Sequence, residues 1–222
     1  MIKAIYLLTR RSDLTVEDFQ EYWRTTHADL VRQIPGIQHY VQCHTLLSGY
    51  RRPTPPALDG VEEMSFNSKA DLDSALQTPA GKAAILDLDG LVEGNRVRRI
   101  VTEEIEIKPG MVREGMVKNI ELVTRRQGMP ISKFHAYWRD SHGPLAAKIA
   151  VIRRYVQSHT LMEAYAEEVP PAYDGVAETW FDNTAGMRRS AASPEYIATR
   201  SDEKNFLTVP LPFIITHEIR IL

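Results

Sequence analysis

The chain has 222 residues, 43% of them apolar and 25% charged, with a formal net charge of −2; this is the balance of an ordinary soluble globular protein. Such a charge gives no electrostatic reason for a nucleic-acid partner or an anionic membrane surface, and no stretch approaches the roughly 18 apolar residues of a membrane span. The single cysteine, Cys43, has no internal partner for a disulfide. With no signal-peptide pattern in "MIKAIYLLTRRSD", a cytoplasmic protein is expected.

Taken in chain order, residues 2 to 9 form an apolar, β-branched run that predicts a strand. A helix capped by Asp13 or Thr15 follows to about Gln33. Its stripe is Phe19, Tyr22, Trp23, Thr26/His27 and Leu30, the spacing of an amphipathic helix. "IPGI" ends it through proline and glycine chemistry. A second strand runs from about Gln38 to Leu47, and the Pro-rich "YRRPTPPALDG" leads to a third over residues 61 to 66. A less regular helical segment covers about 69 to 91, and a last strand covers 97 to 107. The order β-α-β-β-α-β is the ferredoxin-like unit.

"HYVQCHTL" at residues 39–46 returns as "RYVQSHTL" at 154–161, an offset of 115. The same offset matches "FQEYWRTTHADL" with "FHAYWRDSHGPL" and "PPALDGVEEMSF" with "PPAYDGVAETWF", giving about 30 identities over residues 3 to 79. The chain is therefore read as a tandem duplication, units 1–110 and 111–222, divided near Pro109-Gly110. One such sheet carries helices on one face only. Two units in one chain are expected to pack sheet to sheet.

Alternation along the second strand puts Tyr40, Gln42 and His44 on one face, and Cys43 on the other. Tyr155, Gln157 and His159 repeat the set. His27 shares the buried stripe behind Trp23, as His142 does behind Trp138. Glu63 and Glu178 add a duplicated carboxylate on the third strand. His39, His135 and His217 have no duplicated partner and are expected at the surface. A buried imidazole or carboxylate costs several kcal/mol unless it is paired, hydrated or used. Histidine, tyrosine and glutamate are also the side chains that move protons near neutral pH. The expected catalytic set is therefore His27, Tyr40, His44, His142, Tyr155 and His159. Gln42, Glu63, Gln157, Glu178, Trp23 and Trp138 are the expected substrate contacts. The bland alternative, satisfied core residues, stands beside this for each of them.

No metal is expected, because the H-x-D/E element of a facial-triad site is absent. A lone cysteine cannot form the haem-attachment CxxCH. Phosphate-loop, dinucleotide-binding, GxSxG and HExxH motifs are missing too. No cofactor is expected.

The ordered motifs "FxxYWxxxHxxL", "YVQxHTL" and "DGVxExxF", present once per half, resemble the EthD family of dimeric α+β barrel proteins. The resemblance implies ferredoxin-like units whose sheets pair into a barrel, here as an intrachain pseudo-dimer with a possible further homodimer of the two-unit chain. It also implies a small-molecule ligand between helices and sheet, and His27, Tyr40, His44, His142, Tyr155 and His159 as the matching positions. Where relatives use a cysteine, this chain offers only Cys43, on the opposite strand face. The expected function is cofactor-independent acid–base catalysis (isomerase, cyclase, dehydratase or decarboxylase) on a small carbonyl, lactone or aromatic catabolite. A non-catalytic binding or stress-associated protein is the alternative.

Overall fold

The computed structural model describes residues 1–95 and 97–222. β1 (Ile2–Leu8) is buried over all but its first residue, which is why its sequence reads as an unbroken apolar run rather than an alternating one. Thr15 caps the following helix by accepting from the Asp18 amide at 3.0 Å, and α1 runs Val16–Tyr22. The helix does not continue evenly to Gln33 as expected. Trp23–His27 form a π-helical turn, and a short α2 (Ala28–Val31) ends the element. β2 (His39–Thr45) and β3 (Gly60–Phe66) follow. The irregular second helical segment is two helices, α3 (Lys69–Gln77) and α4 (Pro79–Leu91). They break at Thr78, whose hydroxyl accepts from the Gly81 amide at 3.1 Å. β4 (Arg98–Lys108) closes the repeat.

The second half repeats this order. β5 is Val117–Val123 and α5 is Ile131–Tyr137. A second π-helical turn spans Trp138–His142 before α6 (Gly143–Ala147). β6 (Arg154–Thr160), β7 (Gly175–Phe181), α7 (Thr184–Ser190), α8 (Pro194–Glu203) and β8 (Phe213–Arg220) complete it. The fold is α+β, with ferredoxin-like units in tandem.

The residues divide into two compact units, Met1–Thr102 with Glu218–Leu222, and Glu103–His217. In the first, β3 is central: β1 pairs antiparallel on one side, with Tyr6 opposite Glu62, and β2 on the other, with Gln42 opposite Glu62 and His44 opposite Gly60. The final residues join this unit through β2, where the Ile221 amide donates to the Tyr40 carbonyl at 2.9 Å. In the second, β7 is central between β5 and β6, with Glu121 and Gln157 both opposite Ala177, and β8 lies beside β5. The core of each unit forms where the helices cover the sheet. Phe19 and Trp23 fill it in the first, Phe134, Trp138 and Phe206 in the second.

Candidate functional site

The π-helical turn sets the first site. An inserted residue widens the helix and disturbs its carbonyl-to-amide ladder, a feature often found at functional positions. Gln42, on the facing strand, donates its amide to the Trp23 carbonyl at 2.7 Å. Its second hydrogen goes to the Tyr40 hydroxyl at 2.6 Å, and its oxygen faces His44 Nε2 at 3.0 Å. This explains the strict Tyr-x-Gln-x-His alternation: the glutamine ties both neighbours on its strand face to the turn of the helix. In the second unit Gln157 bonds the Trp138 carbonyl at 2.8 Å, Tyr155 at 3.0 Å and His159 at 2.9 Å.

His44 lies flat on the Trp23 indole, centroids 4.3 Å apart, and His159 lies on Trp138 at 4.4 Å. Burial pushes His44 down to about 4 and His159 to about 3. Both are neutral near pH 7. The stack needs Gly60 and Gly175 beneath it, because a Cβ at either would sit within 2.6 Å of the tryptophan ring. Gly60 and Gly175 are therefore the floor on which the tryptophans rest.

His27 is fully buried, yet its charge is favoured. Its Nδ1 meets Asp87 Oδ2 at 2.7 Å, and its Nε2 lies 3.2 Å from Glu62 Oε2. Burial opposes protonation, but the two carboxylates outweigh it and push His27 up to about 9. Glu62 also accepts from Trp23 Nε1 at 2.6 Å and from Tyr40 at 2.9 Å, while its other oxygen, Oε1, has no hydrogen-bond partner. Asp87 additionally accepts from Tyr22 at 2.8 Å. Burial would raise the Asp87 carboxyl, but His27 and Tyr22 hold it below its ordinary value. Tyr22 and Asp87 line an open cleft of about 420 Å³ with Arg11, Leu14 and Leu86. A series of side chains therefore leads from the cleft inward, Tyr22, Asp87, His27, Glu62, Tyr40, Gln42 and His44, hydrogen-bonded at each step except His27 to Glu62, where the two charges approach without an aligned hydrogen bond.

The second unit repeats the outer part. His142 Nδ1 meets Asp202 Oδ2 at 2.9 Å, and Tyr137 donates to Asp202 at 2.6 Å. Its inner part differs, since Ala177 stands where Glu62 would be. Trp138 Nε1 turns instead to Tyr155 at 3.2 Å. With one carboxylate beside it rather than two, burial prevails and His142 is held below its ordinary value.

The structure thus brings His27, Tyr40, Gln42, His44 and Trp23 together, and their counterparts His142, Tyr155, Gln157, His159 and Trp138. It separates Glu63 and Glu178 from them. Glu63 lies on the opposite face of β3, where Lys3 is 3.1 Å away and Cys43 Sγ 3.4 Å. Glu178 accepts from Ser158 at 2.8 Å and pairs with Lys118. The carboxylate on the site face is the neighbouring Glu62, one residue away and so on the other side of the pleat. His135, expected at the surface, is half-buried, with its ring 4.7 Å from that of His159; His39 and His217 are exposed. Sequence reading missed Asp87 and Asp202, Tyr22 and Tyr137, and Glu62. The 115-residue offset would have found the first four.

Among the described residues no group of three or more histidine, cysteine, aspartate or glutamate side chains is arranged to hold a metal ion. His27 turns opposite ring nitrogens to Asp87 and Glu62, so these three do not converge on one point. No helix among the described residues is long and apolar enough to cross a membrane.

The chain is an α+β protein of two tandem ferredoxin-like units, each with an imidazole and a carboxylate paired behind a π-helical turn. The EthD domain model matches residues 11–90 and again 126–209. The chain belongs to the EthD family, in two tandem copies. It is 28% identical over 93 residues to an uncharacterized 11.0 kDa protein in the thcB-thcC intergenic region of Rhodococcus erythropolis, a match covering 41% of this chain and 84% of that one. An EthD family protein of Bacillus halodurans is 26% identical, covering 47% of this chain and 99% of its own, with a TM-score of 0.40. An anthrone oxidase-like protein shares the fold over 99% of this chain and 93% of its own, with a TM-score of 0.66 at 12% identity.

Proposed function

We propose that the protein is a cofactor-independent acid–base enzyme acting on a small carbonyl, lactone or aromatic-catabolite molecule. The carrying observation is the duplicated tyrosine–aspartate–histidine set, Tyr22–Asp87–His27 and Tyr137–Asp202–His142. In the first unit it opens into a cleft large enough for such a ligand. A carboxylate serves as the base for a carbon acid in known enzymes when it is held against the carbon. Asp87 would take a proton from the carbon beside the ligand's carbonyl. As Asp87 takes up that proton, the Tyr22 hydroxyl, which donates to Asp87 in the resting protein, would turn its hydrogen to the developing enolate oxygen, and imidazolium His27 would fix the carboxyl from behind. Return of the same proton to another carbon completes an isomerisation. Loss of a leaving group from the enolate gives an elimination. Neither course needs an electron acceptor.

The alternative, a binding protein without turnover, draws support from the inner residues. Tyr40, Gln42 and His44 spend their hydrogen bonds on one another and on the turn of the helix. A panel of small ketones, lactones and phenolic catabolites separates the two readings. His27→Gln should lower turnover of any active compound by about 100-fold or more while its binding, followed by calorimetry, changes little. A protein that binds a compound tightly with no turnover in the wild type is a binder.

A further inference from the structure

The two halves differ at the places that matter most for proton transfer. On β3 the site face carries Glu62, and the matching position on β7 is Ala177. The partner strand carries the reverse exchange: Tyr6 stands opposite Glu62, and Glu121 stands opposite Ala177. The second half has therefore moved its carboxylate across the rung, away from the imidazole. Glu121 is 3.0 Å from Arg200, which also holds Glu203 at 2.7 Å.

The mouth differs as well. Gly90, one turn past Asp87, has open space where a side chain would be. Its counterpart is Asn205, whose amide donates to Asp202 at 2.9 Å and reaches Tyr137 at 3.4 Å. The next residue, Phe206, is fully buried and packs 4.7 Å from the His142 ring, where the first half has Leu91. Asn205 therefore ties up the outer side of Asp202 and Tyr137, while Phe206 packs beneath them in the core against the His142 ring.

We infer that the halves are functionally unequal. The first carries the proton transfer, with Glu62 as the positioning residue that holds His27 as its imidazolium. The second is a blocked copy in which Asn205 is bonded across Asp202 and Tyr137. This rests on the acid–base reading above. The groups against His27 are Asp87 from α4 and Glu62 from β3, with Tyr22 from α1 bonded to the first and Tyr40 from β2 to the second. Those against His142 are Asp202 and, more remotely, Arg200 from α8, with the Phe206 ring packed on it, and with Tyr137 and Asn205 bonded to Asp202. Only the first set places a carboxylate on each ring nitrogen.

The test has two arms on the full chain. Histidine side chains labelled with carbon-13 are titrated by NMR in the wild type and in Glu62→Gln. The expected result is His27 titrating at least one pH unit above His142, and falling by a unit or more in Glu62→Gln while His142 stays in place. His27 unmoved by Glu62→Gln would overturn the inference. The second arm follows exchange of carbonyl-adjacent hydrogens for deuterium in the panel compounds. Gly90→Asn, which reproduces the block, and His27→Gln should each lose at least tenfold more than His142→Gln. Equal losses from His27→Gln and His142→Gln overturn the inequality of the halves and leave the acid–base reading intact. No exchange by the wild type sinks that reading instead, and the titration alone then decides the role of Glu62.

Discussion

Trp23 and His44 lie face to face, ring centroids 4.3 Å apart and 23° from parallel. A neutral imidazole fits such a stack, and a charged one would have to be desolvated there. The unfolded chain takes up a proton on this residue near pH 6.5 and the folded chain only near 4. Folding stability should therefore fall as pH drops from 6.5 toward 4, by about 1.4 kcal/mol per pH unit for each such histidine. His159, held down to about 3, adds the same slope. Urea unfolding at pH 7, 5.5 and 4.5 measures it, and His44→Phe should flatten the dependence by one proton. An unchanged slope would mean that His44 is charged in the folded protein.

His27 should behave in the opposite sense. Its pKa is raised to about 9 in the folded state, so its stabilisation is complete below about 6.5 and disappears as pH rises through 9. The stability gap between the wild type and His27→Gln should be larger by about 3 kcal/mol at pH 6 than at pH 10. Denaturant unfolding of both proteins at the two pH values reads this gap directly. A gap independent of pH would refute the imidazolium.

Gly60 touches the same assembly from below. A methyl group there would lie 2.5 Å from the Trp23 ring and 3.1 Å from the Cys43 carbonyl. Gly60→Ala should push the indole off the strand and cost about 1–3 kcal/mol. Near-ultraviolet circular dichroism should change along with the unfolding midpoint. Gly90→Ala, made in open space, is the control and should leave both nearly unaltered.

Glu63 and Lys3 pair at 3.1 Å in a buried setting. Removing the carboxylate takes a close counter-charge from an ammonium that stays buried. Glu63→Ala should destabilise the protein by about 3 kcal/mol. The simultaneous change of Lys3 to Met should recover a good part of the loss, as a double-mutant cycle would show.

Periodicity revealed the architecture because both repeats obey it. β1 is an apolar run, Tyr40, Gln42 and His44 alternate, and Phe19, Trp23 and His27 recur along one helix face. The π-helical turn was not legible. Trp23–His27 has no composition that marks an inserted residue, and the turn is seen only in the folded backbone, where Gln42 reaches the Trp23 carbonyl. The duplicated histidines stood out because imidazoles are rare on apolar stripes. Asp87 and Asp202 did not, since a carboxylate on an exposed helix is ordinary until its partner is known. Glu62 was hidden by its neighbour. Two adjacent glutamates face opposite sides of a strand, and duplication drew the eye to Glu63, which is repeated, rather than to Glu62, which is not.

The central claim is that Asp87, backed by His27, moves a proton at the cleft between α1 and α4. The most direct measurement is the rate at which carbonyl-adjacent hydrogens of small ketones and lactones exchange in deuterium oxide, with wild type and Asp87→Asn compared by proton NMR. The account predicts exchange with at least one compound well above the buffer rate, reduced by about 100-fold or more in Asp87→Asn. Exchange that is equally fast in both proteins would contradict it.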